Sequence, residues 1–226
     1  MVAAKSLRQA ASDSPALVRI LDAAEYEITA YGYAGAGMKA IATRAGVAQG
    51  LLHYHFGNKE GLYEAVIARR ARRLSDAREA LLAQVDLMAP DALEQVFDAL
   101  YRPNFEEEGG GKAYAAIFDA RFVSDSDAAH LVNKYYDPTA SRFIDAIIAV
   151  DPSIPRDAAS WSYTLAIGSL FAGLMRNGRQ ERLAGVPVRD PDGPPDPIIN
   201  ALVQNSVGGL KNLVAAAPAR GKTQNE

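Results

Sequence analysis

Residues 37–56 read GMKAIATRAGVAQGLLHYHF, and this stretch decides the fold. Met38, Ile41, Ala42 and Ala45 recur at helical spacing and give one apolar face. Gly46 ends that run, because glycine enters the left-handed cap conformation without a Cβ penalty. Ala45-Gly46-Val47 is then a tight turn, and a third short helix covers about Gln49 to His55. Ile41 and Val47 can pack on a preceding helix and hold the pair at a steep angle. The arrangement is a helix-turn-helix. Its last helix projects an outer face, as a reader of the DNA major groove must. The same shape also serves as a plain structural corner.

Upstream, Ser14-Pro15 is a helix start, with serine as N-cap and proline at the first helical position. Leu17, Ile20, Leu21, Ala24, Ile28 and Tyr31 follow at helical spacing, and Gly32 stops the helix. Downstream, Asn58 caps a long helix with Leu62, Val66, Leu74, Leu81 and Val85 on its buried side. Further helices are expected from Pro90-Asp91, over Ala113 to Val123, over Ser126 to Val150 with a break at Pro138, over 157–182, and from about Ile198 to Val214. Five prolines between 187 and 197 exclude a helix interior there. No alternating strand pattern stands out. The fold class is all-α: an N-terminal helix-turn-helix domain (14–60) and a C-terminal helical domain (61–216), with flexible tails at 1–13 and 217–226.

The chain has 226 residues, 24 Lys+Arg, 27 Asp+Glu, 3 His and no Cys. Without cysteine, a disulfide scaffold, cysteine-ligated zinc, iron–sulfur clusters and a thiol nucleophile are excluded. Residues 1–73 hold 10 basic and 6 acidic side chains, a balance of +4, and the remainder balances at −7. A basic end on an acidic body suits polyanion binding. The N-terminus MVAAKSLRQAASDSP lacks an apolar signal core, so a cytoplasmic protein is expected. Residues 158–175 carry no charge but are short for a bilayer crossing, and a helix buried inside protein is expected there, with no membrane partner.

Residues 20–67, ILDAAEYEITAYGYAGAGMKAIATRAGVAQGLLHYHFGNKEGLYEAVI, resemble the N-terminal domain of the tetracycline-repressor (TetR) family of bacterial transcriptional regulators. The matching features are Ile20-Leu21-Asp22-Ala23-Ala24, Gly32-Tyr33, Ile41-Ala42, Ala45-Gly46-Val47, Gly50, Leu52, Tyr54-His55-Phe56, and Lys59-Glu60 with Leu62. The resemblance covers about a fifth of the chain; beyond it only the helical layout agrees. Two positions depart from the pattern. Gly37 and Ala48 stand where a Ser or Thr usually caps the second and third helices, and a missing cap costs about 0.5–2 kcal/mol.

The resemblance implies a ligand-responsive repressor that binds a palindromic double-stranded DNA operator as a homodimer and is released by a small apolar or aromatic effector. It implies backbone contacts from Tyr54 and His55; the alternative for His55 is a spacer against Phe56. Lys59, in the first turn of its helix, makes a phosphate site with the helix N-terminus. Gln49, Leu51 and His53 face the groove around Gly50: glutamine can pair with adenine, leucine can touch a thymine methyl, and glycine lets the backbone approach closely. Lys39, Thr43 and Arg44 can reach phosphates or form a solvated face. Arg69, Arg70, Arg72 and Arg73 read as a solvated face.

In the body, Tyr114, Phe118, Phe122 and Trp161 are the candidate lining of an effector cavity. The helices over 157–182 and from Ile198 are apolar on more than one side. Gly168, Phe171, Ala172 and Met175 on the first, with Leu202, Val203 and Leu210 on the second, are the candidate dimer interface. Gly208 and Gly209 suggest tight packing. Enzyme signals are weak: Gly109-Gly110-Gly111-Lys112 lacks the Ser/Thr of a phosphate loop, and no nucleophile signature appears. No catalytic residue, metal site or cofactor is expected. The rival readings are a dimeric DNA-binding regulator without an effector, and a helical enzyme retaining the helix-turn-helix as structure.

Overall fold

The computed structural model describes residues 14–106, 129–175, 177–190 and 193–216. Among them every regular element is helical. In chain order these are α1 (Pro15–Gly35), α2 (Met38–Ala45), α3 (Gln49–Phe56), α4 (Lys59–Leu82), α5 (Ala92–Tyr101) with a 3₁₀ turn (Arg102–Asn104), α6 (Ala129–Tyr135), α7 (Asp137–Val150), α8 (Arg156–Met175), α9 (Arg179–Ala184) and α10 (Asp196–Ala216). The expected helix over 113–123 and both expected tails lie outside the described residues. The chain divides into two compact units: described residues up to Arg73 with 129–136, and Leu74 onward with Asp137 onward.

In the first unit, Pro15 opens α1 and the backbone leaves helical geometry at Gly32, at φ 69°. Ile20, Ala24, Ile28, Ile41, Leu52, Leu62, Val66 and Ile67 form the core. Ion pairs tie α4 to α1. Arg69 donates to Asp22 and Glu25, both at 2.6 Å, and Arg70 pairs with Glu25. Both guanidinium groups are largely buried, so the expected solvated face is confined to Arg72 and Arg73. The interaction needs acids on one helix and bases on another more than forty residues away, which no local pattern discloses.

In the second unit, Phe97, Leu100, Tyr101, Phe143, Ile147, Ala159, Ala166, Leu170 and Leu174 are buried with Ile199, Val207 and Leu210. The Tyr101 hydroxyl shares a 2.6 Å hydrogen bond with the Ser206 hydroxyl, joining α5 to α10. Burial pushes the Tyr101 phenol up to about 12. Arg102 clamps Asp98 through two nitrogens and reaches Asp196 at 3.1 Å. The long helix expected over 157–182 stops at Met175; Gly178, at φ 68°, precedes the separate helix α9.

α8 is the helix among the described residues long and apolar enough to cross a membrane, by length and composition. It is not buried all round. Ala159, Ala166, Leu170 and Leu174 face the core, while Trp161, Leu165, Gly168, Ala172 and Met175 form an exposed stripe. Gly173 lets α10 come close: a Cβ there would stand 3.1 Å from Leu202 Cδ1 and 3.2 Å from Ile198 Cγ2. On α10, Leu202, Val203 and Leu210 face the unit's own core, unlike their expected place on an outer surface. The helix spends its large apolar side chains inward, and its outer face carries Ala201, Asn205, Gly208 and Asn212. Gly208 and Gly209 have open space around them, so they mark no tight contact within the chain.

The α3–α4 junction yields a stability prediction. The Asn58 side chain accepts the Gly61 N–H at 2.8 Å, and a Cβ on Gly61 would collide with the Phe56 carbonyl oxygen. Asn58→Ala should cost about 1 kcal/mol through the lost cap. Gly61→Ala should cost about 1–3 kcal/mol through overpacking against backbone. Thermal unfolding of the two variants beside the wild type checks the order.

Candidate nucleic-acid interface

Gly46 closes α2 in the left-handed conformation, at φ 66° and ψ 40°. Its N–H donates to the Thr43 carbonyl at 3.2 Å, and the Val47 N–H to the Ala42 carbonyl at 3.1 Å. This paired cap satisfies the last carbonyls of α2 and turns the chain into α3. Ala48 leads α3 without a side-chain cap, and Gly37 leads α2 likewise. Leu52 is fully buried beneath α3. Gln49, Gly50, His53 and Tyr54 therefore lie on the outer face, Tyr54 at 81% exposure. Leu51 is half-buried at the edge of that face, and no side chain or backbone crowds Gly50.

The outer face has internal order. His53 Nδ1 lies 2.9 Å from the Gly57 carbonyl oxygen and Nε2 lies 3.4 Å from Gln49 Nε2. A carbonyl only accepts, so Nδ1 carries the proton of the neutral ring and Nε2 accepts from the Gln49 amide. That contact occupies the Gln49 amide nitrogen. The ring of Tyr54 meets His55 edge-on at 5.0 Å. His55 is exposed and lies 6.2 Å from Phe56, so it is not enclosed as a spacer.

Flanking residues have distinct surroundings. Lys59 Nζ donates to the Ala34 carbonyl at 3.1 Å and stands 4.6 Å over the Tyr33 ring. Tyr33 in turn donates to Glu60 Oε1 at 2.8 Å and meets Tyr63 edge-on. The first turn of α4 is thereby fixed against the end of α1. Lys39 and Thr43 are exposed, and the Thr43 hydroxyl donates to the Lys39 carbonyl at 2.9 Å. Arg44 is engaged in a brace. Its Nε donates to the buried Glu27 carboxylate at 2.7 Å, and its guanidinium lies 3.6 Å over the Tyr26 ring. The hydrogen bond to Glu27 holds Arg44 still more firmly protonated. Sequence reasoning passed over Glu27; an acid on the apolar face of α1, beside Ala23, Ala24 and Ile28, is the signal that marks it.

In the second unit, Trp161 is 61% exposed on α8, outside any enclosed cavity. Tyr114, Phe118 and Phe122 lie outside the described residues. An open groove of about 840 Å³ is lined by Ser169, Ala172 and Met175 of α8, Leu183 of α9, and Ala201 and Asn205 of α10.

A recognition-type helix held outward behind a glycine turn, with a basic helix start beside it, defines a helix-turn-helix DNA-binding regulator. Residues 20–66 match the family of bacterial regulatory proteins called tetR, and residues 94–209 match the tetracyclin repressor-like C-terminal domain. The chain belongs to the TetR family of transcriptional regulators. The HTH-type transcriptional activator FasR of Mycolicibacterium smegmatis is 35% identical over 116 residues, covering 49% of this chain and 49% of FasR. The match thus spans about half the length of that curated relative. Solved relatives include PfmR of Thermus thermophilus (TM-score 0.60, 19% identity, 85% of this chain and 98% of that one). The fatty acid degradation regulator FadR of Bacillus halodurans has a TM-score of 0.58 and 18% identity over 82% of this chain and 96% of that one. At such identities the likeness concerns the fold.

Because Arg44 braces α2 to α1, Glu27→Ala should lower the melting temperature by leaving that guanidinium without its partner. Arg44→Ala should do the same and leave base preference at every operator position as in the wild type. Thermal unfolding and binding to a set of single-base operator variants separate a brace from a base reader.

Proposed function

We propose that this regulator binds a palindromic operator as a homodimer, represses transcription from it, and is released by a small apolar or aromatic effector bound in the second unit. The observation that carries the reading is the outer face of α3, where Gln49, Gly50, His53 and Tyr54 stand clear above buried Leu52. Gln49 reads a base edge, Lys59 and Tyr54 hold phosphates, and Lys39 and Thr43 support the backbone contact. The effector acts through unequal affinity for the DNA-bound and free states.

The dimer uses the outward stripe of α8 with the outer face of α10. Gly168, Ala172 and Met175 are exposed on that stripe, and Phe171 is half-buried at its edge. Ala201, Asn205 and Gly208 replace Leu202, Val203 and Leu210, whose side chains serve the core. Small residues on both helices permit close approach of a second copy. Exposed Trp161, Leu165 and Met175 supply apolar area that a monomer leaves in water. A second reading, activation, draws support from the name of FasR. Operator position relative to the polymerase site, which lies outside the protein, sets the sign.

Selection of bound genomic fragments should yield an inverted repeat. On that operator, Gln49→Ala should relax preference at one base pair in each half-site by about 1–3 kcal/mol. Lys59→Glu should weaken binding to all sequences and change the log–log salt slope by about one. Unchanged operator affinity in both variants would remove α3 as the reading helix. In transcription from the bound promoter, repression relieved by an apolar or aromatic compound is expected; stimulation would favour the FasR-like sign.

Leu165→Glu should convert the dimer to a folded monomer, because the side chain is exposed and the core is untouched. Sedimentation at micromolar concentration reads this directly. A wild-type monomer would sink the dimeric architecture.

A further inference from the structure

Gln49 is the first residue of α3, and Ala48 before it makes no side-chain cap to the helix start. Gln49 is exposed, and neither side chain nor backbone crowds the neighbouring Gly50. A glutamine on so open a surface samples many rotamers and can present either end of its carboxamide. Ordering it on a base edge then costs side-chain entropy. His53 lies one helical turn further on, on the same face of α3.

His53 is itself held at the far end of the helix. The Gly57 N–H donates to the His53 backbone carbonyl at 2.9 Å, and the His53 ring returns a bond from Nδ1 to the Gly57 carbonyl, also at 2.9 Å. Gly57 is the C-cap of α3, and the next residue, Asn58, accepts from Gly61 in the first turn of α4. The ring is therefore fixed to backbone at the α3–α4 junction.

The chemistry then runs in one direction along α3. A carbonyl only accepts, so Nδ1 keeps the proton of the neutral ring and Nε2 is left with a lone pair. That lone pair attracts the Gln49 amide nitrogen, 3.4 Å away, and repels the amide oxygen. The carboxamide thus has one preferred sense. It retains its oxygen and a second N–H, which are the acceptor and donor that an adenine edge requires.

We propose that His53 is a positioning residue for base recognition: it carries the fixed geometry of the α3–α4 junction to Gln49 and sets which way the Gln49 carboxamide faces the base, without touching a base itself. The inference rests on the reading of α3 as the operator-reading helix with Gln49 at a base edge, and it gives His53 a part other than direct contact.

The test uses the full-length protein on its selected operator and on every single-base variant of one half-site, with affinities from fluorescence anisotropy. His53 is exposed, so its replacement leaves the core intact, and circular dichroism checks the fold of each variant. His53→Phe keeps a ring without the acceptor. It should lower discrimination at the Gln49 base pair by about three- to tenfold and leave preference elsewhere in the half-site unchanged. His53→Lys offers donors only and should lower it as far. His53→Gln supplies an oxygen toward Gln49 and an N–H toward Gly57, and should restore most of it. In a Gln49→Ala background none of these three should alter discrimination at that pair. Full discrimination in a folded His53→Phe or His53→Lys variant overturns the proposal. A loss that persists in the Gln49→Ala background overturns it too, because His53 then reads the base directly. So does a His53→Gln variant as poor as His53→Phe, since ring shape and not the acceptor would be at work. The wider reading fails separately: if Gln49→Ala shifts preference at no base pair, Gln49 reads no base and His53 has nothing to position.

Discussion

The turn at Gly46 is the constraint on which the first unit depends. Its φ of 66° is open to a residue with a Cβ only at a cost of about 1–2 kcal/mol. Space is not the reason, since a Cβ there would meet nothing within 4 Å. The demand comes from the backbone alone. Two consecutive N–H groups, of Gly46 and Val47, must turn back to close α2 while the chain sets off into α3. Gly61 has the opposite need: its place is set by the Phe56 carbonyl, which leaves no room for a side chain. One glycine aims the reading helix and the other brings the following helix up against its end.

Charge then fixes what apolar packing leaves loose. Leu52, Ile41 and Ile20 would tolerate small rotations of α1 against its neighbours, because hydrophobic contact is not directional. The Glu27–Arg44 pair and the Arg69 and Arg70 pairs with Asp22 and Glu25 are directional. Their net contribution to stability is modest once desolvation is counted, and the Nε atoms of Arg69 and Arg70 lie buried without acceptors. What they contribute is register: α2 and α4 can each meet α1 in one alignment. A DNA reader needs that more than it needs stability, since a small displacement of Gln49 misses the base edge.

The helix-turn-helix was legible in the sequence because everything that makes it is local. Helical spacing before Gly46, Val47 beyond it, and Lys59-Glu60 at the next helix start sit within 23 residues. The fold class was legible for the same reason. The Arg44 brace was not legible, because charge on a short helix looks the same whether it faces water or a buried acid; Glu27, one helix away, makes the difference. The outer faces of α8 and α10 were legible only in part. Both helices carry apolar residues in excess of one stripe, and periodicity alone assigns the excess to a partner. In α10 the larger side chains satisfy the core, and the outward face is made of residues small enough to carry no hydrophobic signal at all.

The two units also treat buried arginine differently. In the first, each buried guanidinium meets carboxylates of α1, and the charges balance within the fold. In the second, Arg102 is answered by Asp98 and Asp196, whereas among the described residues Arg78 is answered by a carbonyl and an amide oxygen. Dipoles neutralise a guanidinium less completely than a carboxylate does, and here the Leu100 carbonyl at the end of α5 and the Asn104 amide take that part. A unit that existed only to hold two copies together would gain by replacing that arginine with an apolar residue of similar volume. The Arg78 fork instead ties α4 to the end of α5 and its 3₁₀ turn through the Leu100 and Asn104 oxygens, so it fixes register within the unit.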